Sequence, residues 1–434
     1  MIAAIILYLL LILSYLSIFS YPYFPVIVYY LFAVLQPQAI WWWAFGTLRA
    51  SFIAALAAII GFVISFLQNP DFSVWKHKEV YCFLGLWFWI SISIFFGGLP
   101  CQFVGGANSN ALWLITELSK LFLMALICIY LIDKPNKILY LSIVFIISVI
   151  YLSYWGNMRY VTGAIWRNPL GRLNGPCSLI THTGVYVEEN IFGMFFVTTL
   201  PFLYYFALYL KNKWIKLFLL PWIPLGWSAI FLTASRGALL GLAFTILHVI
   251  FRFKKKFIGF LLLIALIVFF IWQGGNVMKN RADTLENPES AGRMRLTCWK
   301  LALNMMHDYP LFGVGLGNFM RARQLYGNHR RLIAMNTPLQ FGAECGIPAL
   351  LFLVGMTIFT LISLNKLINT FDTNDILYPI TLSVEGGLWG FMVCGFFLSA
   401  HLYEPFYLFI AMTVILKNIV ASGNYLTTDN NPSE

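Results

Sequence analysis

The chain is 434 residues long, 60% hydrophobic and 18% aromatic, and only 10% of its residues are charged. Soluble globular proteins carry about 25% charged residues, so this composition excludes a soluble enzyme and implies a polytopic membrane protein. The formal charge of +11 does not argue for a nucleic-acid partner, because most lysines fall in short connections between apolar runs, where they act as topology signals.

Apolar runs of bilayer-crossing length recur at about 2–19, 22–36, 51–67, 80–97, 111–132, 138–154, 190–210, 214–232, 236–251, 257–273, 346–365, 378–398 and 401–417. They predict an all-α fold of about 12 to 13 transmembrane helices. The first run lacks a basic flank and a small-residue cleavage site, so it reads as a retained helix. Lys76 and Lys78, Lys134 and Lys137, Lys211, Lys213 and Lys216, then Arg252 and Lys254–Lys256 occupy alternate connections. Those connections are expected on the cytoplasmic side, which puts about 37–50, 98–110, 155–189, 233–235 and 274–345 outside.

The last of these is a long outward-facing loop of about 70 residues with helix-like runs of its own, and loops of that length are usually functional. The expected organisation is 1–189 for the N-terminal helices and first long outer loop. A membrane core with the second loop follows over 190–423, and 424–434 is a polar tail expected to be disordered. No internal repeat is visible, which weighs against a transporter built from two related halves. The seven cysteines are scattered, with no metal-ligand spacing and no disulfide framework.

Several residues stand out chemically. Arg236 lies between two apolar runs, where a charge costs several kcal/mol (about 3 on insertion scales) and marks function. Arg293 and Arg295 open an amphipathic stretch, Met294–Met306, on which Arg295 and Trp299 share a face. An indole there can hold a guanidinium by cation–π contact, and arginine forks well onto phosphate oxygens. The competing reading is an interfacial helix whose basic residues snorkel to headgroups. Arg281, Arg321 and Arg323 add positive charge to the same loop, as phosphate contacts or as ordinary solvated charge. The run Pro310-Leu-Phe-Gly-Val-Gly-Leu-Gly-Asn-Phe319 lacks the lysine and the strand–turn–helix setting of a phosphate loop, and reads as a tight turn packed near the bilayer surface.

Four motifs in order resemble the O-antigen ligase/polymerase family. They are Thr233-Ala-Ser-Arg-Gly237, Ser290-Ala-Gly-Arg-Met-Arg295 with Trp299, Asp308-Tyr-Pro with the glycine run, and Gln340-x-x-x-Glu344-x-Gly-Ile-Pro. They span about residues 230–355, and the upstream half also looks like the exosortase-associated O-glycosylation ligase branch. The resemblance implies transfer of a glycan from a polyprenyl-diphosphate carrier to an acceptor hydroxyl on lipid, protein or glycan. It implies an active site at the outer face of the cytoplasmic membrane among membrane lipids, with neither metal nor cofactor. A polymerase extending the carrier-linked glycan and a polysaccharide or lipid transporter are the alternatives.

Carried over by motif, Arg236 and Arg295 are the expected diphosphate ligands, with Arg293 and Arg281 beside them. The family's histidine, its expected base, falls on Met335, which cannot accept a proton. Either this form is altered, or its branch uses another base, or it does not catalyse the step. His329, Glu188, Glu189 and Glu344 are the candidate replacements.

Overall fold

A computed structural model describes residues 2–101, 110–164, 171–179, 184–252, 260, 261, 264, 268, 288–328 and 333–423. Of the sequence-predicted sites, Arg281 and His329 lie outside the described residues, as does the tail 424–434. Among the described residues there is no strand, and the fold is all-α. The helices are α1 (Ile2–Leu16), α2 (Phe24–Leu35), the short α3 (Pro37–Ile40) and α4 (Trp42–Phe45), α5 (Ala50–Gln68), α6 (Lys78–Phe96), α7 (Ala111–Leu131), α8 (Pro135–Val161) and α9 (Glu189–Tyr209). There follow α10 (Lys213–Leu219), α11 (Trp222–Thr233), α12 (Arg236–Arg252), α13 (Pro288–Asp308), the short α14 (Phe319–Ala322), α15 (Thr337–Cys345), α16 (Ile347–Thr370), α17 (Leu377–Gly395) and α18 (Glu404–Ala421).

Eight segments among the described residues are long and apolar enough to cross a membrane, so this is a multi-pass membrane protein. The run predicted at 214–232 is one such span, Lys213–Thr233, made of α10 and α11 with Pro221 at the joint. Proline has no N–H to continue the ladder, and membrane helices tolerate the break where neighbours satisfy the freed groups. The runs at 2–19 and 22–36 form shorter helices than predicted, α1 and α2, because Tyr21-Pro-Tyr-Phe-Pro25 interrupts the apolar stretch.

The alternate connections gather at two ends. At one end Lys417 on α18 bonds both carboxylate oxygens of Glu79 at 2.9 Å, and His77 meets Asn418 at 2.7 Å. At the other, Gly98 N–H donates to Gly313 O, Leu173 N–H to Leu232 O, and the Tyr186 hydroxyl to Val34 O.

The centre of the bundle is α9, most of whose residues are buried, packed against α17 and α12. Glycine permits the approach. A Cβ on Gly387 would stand 2.6 Å from Thr198 O and 2.8 Å from the Phe409 ring. One on Gly241 would stand 2.6 Å from Cys394 Sγ, and one on Gly193 2.7 Å from Ala238 Cβ. Small residues let membrane helices pack backbone to backbone where no hydrophobic force drives them together.

A second, smaller core lies at the end that carries the Gly98–Gly313 contact, where Ala302, Met305, Val314, Phe319, Ala322, Ala334 and Ala343 pack together. It makes a cap from α13, the glycine run, α14 and α15. Overpacking a close helix contact costs about 1–3 kcal/mol. Gly387→Ala should therefore lower the melting temperature of the detergent-solubilised protein, whereas Gly355→Ala, whose new Cβ meets nothing nearer than 3.5 Å, should not.

Candidate active site

The site begins at the N-terminus of α12. Ala234 adopts a left-handed conformation (φ 51°) that turns the chain out of α11. Ser235 then caps α12, its hydroxyl accepting from Ala238 N–H at 3.3 Å, as serine does when it satisfies an orphan amide of the first turn. The same hydroxyl donates to Asn190 Oδ1 at 2.8 Å, and Asn190 Nδ2 donates to Glu188 Oε1 at 3.1 Å. Glu188, Asn190, Ser235 and Arg236 thus form one connected row across the starts of α9 and α12. Arg236 is exposed at the first position of α12. A cation there opposes the helix dipole, so the position is poor for stability and good for meeting an anion, which the free amides of a helix start also attract.

Arg295 reaches the same place from α13. Burial first, and the Arg236 guanidinium second, push its pKa downward. The two cations therefore lie within each other's field, and neither has an acidic partner among the described residues. The ring beneath Arg295 is Phe397, 5.6 Å from Cζ to centroid, rather than the Trp299 expected from helical spacing. Trp299 instead packs on Phe396 and Phe397, with centroids at 5.1 and 6.4 Å, and its indole nitrogen has no acceptor among the described residues. A Cβ on Gly237 would stand 3.5 Å from Phe397 Cβ, so one phenylalanine separates the backbone of Arg236 from the side chain of Arg295.

The segment carrying Phe396 and Phe397 is sewn to α15. Asn336 accepts from Leu339 N–H to cap that helix and donates to Phe396 O at 3.0 Å. Thr337 donates to Leu398 O at 2.7 Å and accepts from Ala400 N–H at 3.0 Å. Met335, the position of the family histidine, directly precedes this stitch and holds a left-handed backbone (φ 50°). Histidine, asparagine and aspartate adopt that region several times more often than other non-glycine residues.

The candidate bases separate by their partners. Glu189 is held by Arg172 at 2.7 Å. Glu344 lies near the end of α15 rather than at a helix start, and it is buried. It accepts from Gly317 N–H at 3.1 Å, Phe319 N–H at 3.2 Å and Gln340 Nε2 at 2.6 Å. Burial pushes its carboxyl up to about 7 against the pull of those donors, and its oxygens serve the glycine run. Glu188 has no cationic partner among the described residues. Solvent reaches it, yet surrounding protein raises its carboxyl above the usual range, with Glu189 adding to the rise and Asn190 opposing it.

The remaining arginines are placed differently. Arg321 bonds Pro100 O at 3.0 Å. Arg323 is buried and bonds Met320 O at 2.6 Å. Arg293 is exposed on α13, two residues before Arg295.

The glycine run is a folded strap and not a phosphate cradle. Val314 N–H donates to Ala343 O and Gly315 N–H to Glu344 O, each at 2.9 Å, and Gly313 N–H to Tyr309 O at 3.0 Å. Gly313, Gly315 and Gly317 all have positive φ, which glycine adopts without strain. Phe397, Asn190 and the Asn336–Phe396 stitch were not singled out from the sequence, because no local pattern links residues 190, 336 and 397.

Removing a buried carboxylate leaves its donors unsatisfied, at about 1–3 kcal/mol each. Glu344→Ala should thus lower the melting temperature and loosen the strap, read as faster amide exchange over Val314–Phe319.

Residues 222–354 match the family described as O-antigen ligase, and no curated protein matches the chain. The matched segment contains Arg236, Arg295, Met335 and Glu344, and over it the chain is similar to the O-antigen ligase family.

Proposed function

We propose that this protein transfers a glycan from a polyprenyl-diphosphate carrier to an acceptor hydroxyl at the outer face of the cytoplasmic membrane. The reading rests on one observation above the others: Arg236 and Arg295 sit in each other's field with no carboxylate partner among the described residues. Like charges are held together at a cost unless an anion joins them, and a diphosphate is a dianion or more with oxygens that suit guanidinium forks. Fixed cations aimed at a charge that develops on the leaving group are often the largest single catalytic contribution.

In the step itself the bond from the sugar C1 to the diphosphate oxygen breaks, and C1 bonds to the acceptor oxygen. The diphosphate leaves with the bonding pair, stabilised by Arg236 and Arg295. The acceptor's proton goes to a base, and with Met335 unable to take it, Glu188 fills the role. Its raised affinity for protons makes it a stronger base than an ordinary carboxylate, and Asn190 and Ser235 tie it to the backbone that carries Arg236. The acceptor is a hydroxyl of lipid, protein or glycan.

The test is turnover of a polyprenyl-diphosphate oligosaccharide by the purified protein with candidate acceptors. Arg236→Ala and Arg295→Ala should each reduce kcat by about 10²–10³-fold, and the lysine variants by less, because charge survives while the fork is lost. Full activity in both alanine variants would overturn the assignment. The rate should fall on the acidic side as Glu188 takes up a proton, at a pH above the ordinary carboxylate range. Glu188→Gln should remove that limb together with most of the activity. Met335→His should restore part of the rate lost in Glu188→Gln, since its backbone already suits histidine.

A further inference from the structure

At the end of α12 opposite Arg236 there is a cavity of about 520 Å³, within the roughly 300–1,000 Å³ typical of small-molecule sites. Its walls are Phe244 and Leu247 of α12 and Leu361 and Ile362 of α16, and Trp389 of α17 lies on its floor. The two walls are spaced apart while α17 packs against both, which leaves a gap between α12 and α16. The walls are not apolar throughout. Arg252, Asn365 and Lys366 close one end.

The charges at that end are arranged with one positive in excess. Arg252 donates from Nε to Glu385 Oε2 and from Nη2 to Asn365 Oδ1, each at 2.9 Å, and also to Glu385 Oε1. His248 meets the same carboxylate at 2.9 Å and Tyr205 at its other nitrogen, also 2.9 Å. Glu385 is therefore fully engaged, and Arg252 is locked in place with Nη1 lacking an acceptor among the described residues. Lys366 is exposed and has no ionic partner among the described residues.

A ligand for this cavity needs an apolar length and an anionic end. A wholly apolar isoprenoid tail gains nothing from Arg252 and Lys366, and a soluble anion gains nothing from Phe244, Leu361 or Trp389. An anionic phospholipid has both parts in the order the cavity presents them. We propose that the cavity binds one anionic phospholipid from the leaflet at the α12 C-terminal end, its phosphate on Arg252 Nη1 and Lys366 and one acyl chain between α12 and α16. The site is separate from the arginine pair and does not depend on the proposed reaction.

Native mass spectrometry of the full chain, delipidated and titrated with palmitoyl-oleoyl phosphatidylglycerol or the matching phosphatidylcholine, tests this. One phosphatidylglycerol should be retained in preference to phosphatidylcholine. Lys366→Gln should weaken it about fivefold, the worth of one basic residue at an anionic headgroup. Leu361→Trp should exclude it by filling the cavity. Thermal melts identify any variant that has lost its fold, and Lys366, being exposed, supplies the variant that keeps it. Equal retention of both lipids, indifference to both substitutions, or displacement of phosphatidylglycerol by a polyprenyl phosphate would each overturn the proposal.

Discussion

Arg236 and Arg295 repel, and the half of the molecule that carries the cap is arranged so that they stay close. Arg236 is fixed by the Ser235 cap and its tie to Asn190, which joins the start of α12 to the start of α9. Arg295 lies over Phe397, whose segment is held to α15 by Asn336 and Thr337. The buried core of the cap, beneath α13, prevents that helix from swinging away. Each of these hydrogen bonds contributes only about 1 kcal/mol, so no single one holds the pair. The constraint is their number, spread over α9, α12, α15 and the link between α17 and α18.

The strap of glycines matters for the same reason. It joins the cap to the end of α6 through Gly98 and Leu99 and to α15 through Glu344. A carboxylate that accepts two loop amides and a glutamine is spent as a structural anchor, although its place in the matched segment makes it a candidate base. With few acids in the chain, those that are buried or half-buried are mostly committed to partners. Glu79 pairs with Lys417, Glu385 with Arg252 and Glu189 with Arg172. Glu188 is the carboxylate linked by hydrogen bonds through Asn190 to Ser235, the neighbour of Arg236, and not neutralised by a cation among the described residues. That asymmetry gives it the proposed chemical role, and position 335 keeps a backbone that a histidine would fit.

Helix α12 joins two different environments. Its first turn carries a cation with no acidic partner among the described residues, beside another cation, and its last residue carries a cation locked by Glu385. Between them Leu240, Phe244, Leu247 and Phe251 are exposed at helical spacing, a stripe that faces hydrocarbon in a bilayer. The helix therefore carries an arginine at each end, with apolar surface between.

The sequence by itself determined the class of molecule, because an apolar run of bilayer length and a lysine in the following connection are local properties that no tertiary contact has to supply. It also singled out Arg236 and Arg295, since a charge between spans and an arginine on an amphipathic helix are visible without coordinates. Tertiary structure alone decided what those charges meet. Phe397, rather than Trp299, lies beneath Arg295 because chain folding, and not helical spacing, brings residues 295 and 397 together. The candidate bases looked alike as carboxylates in outward segments and parted only by partner. Glu189 found Arg172 and Glu344 found the glycine amides, while Glu188 found Asn190. Such pairings depend on where distant backbones cross, and a one-dimensional pattern carries no record of that crossing.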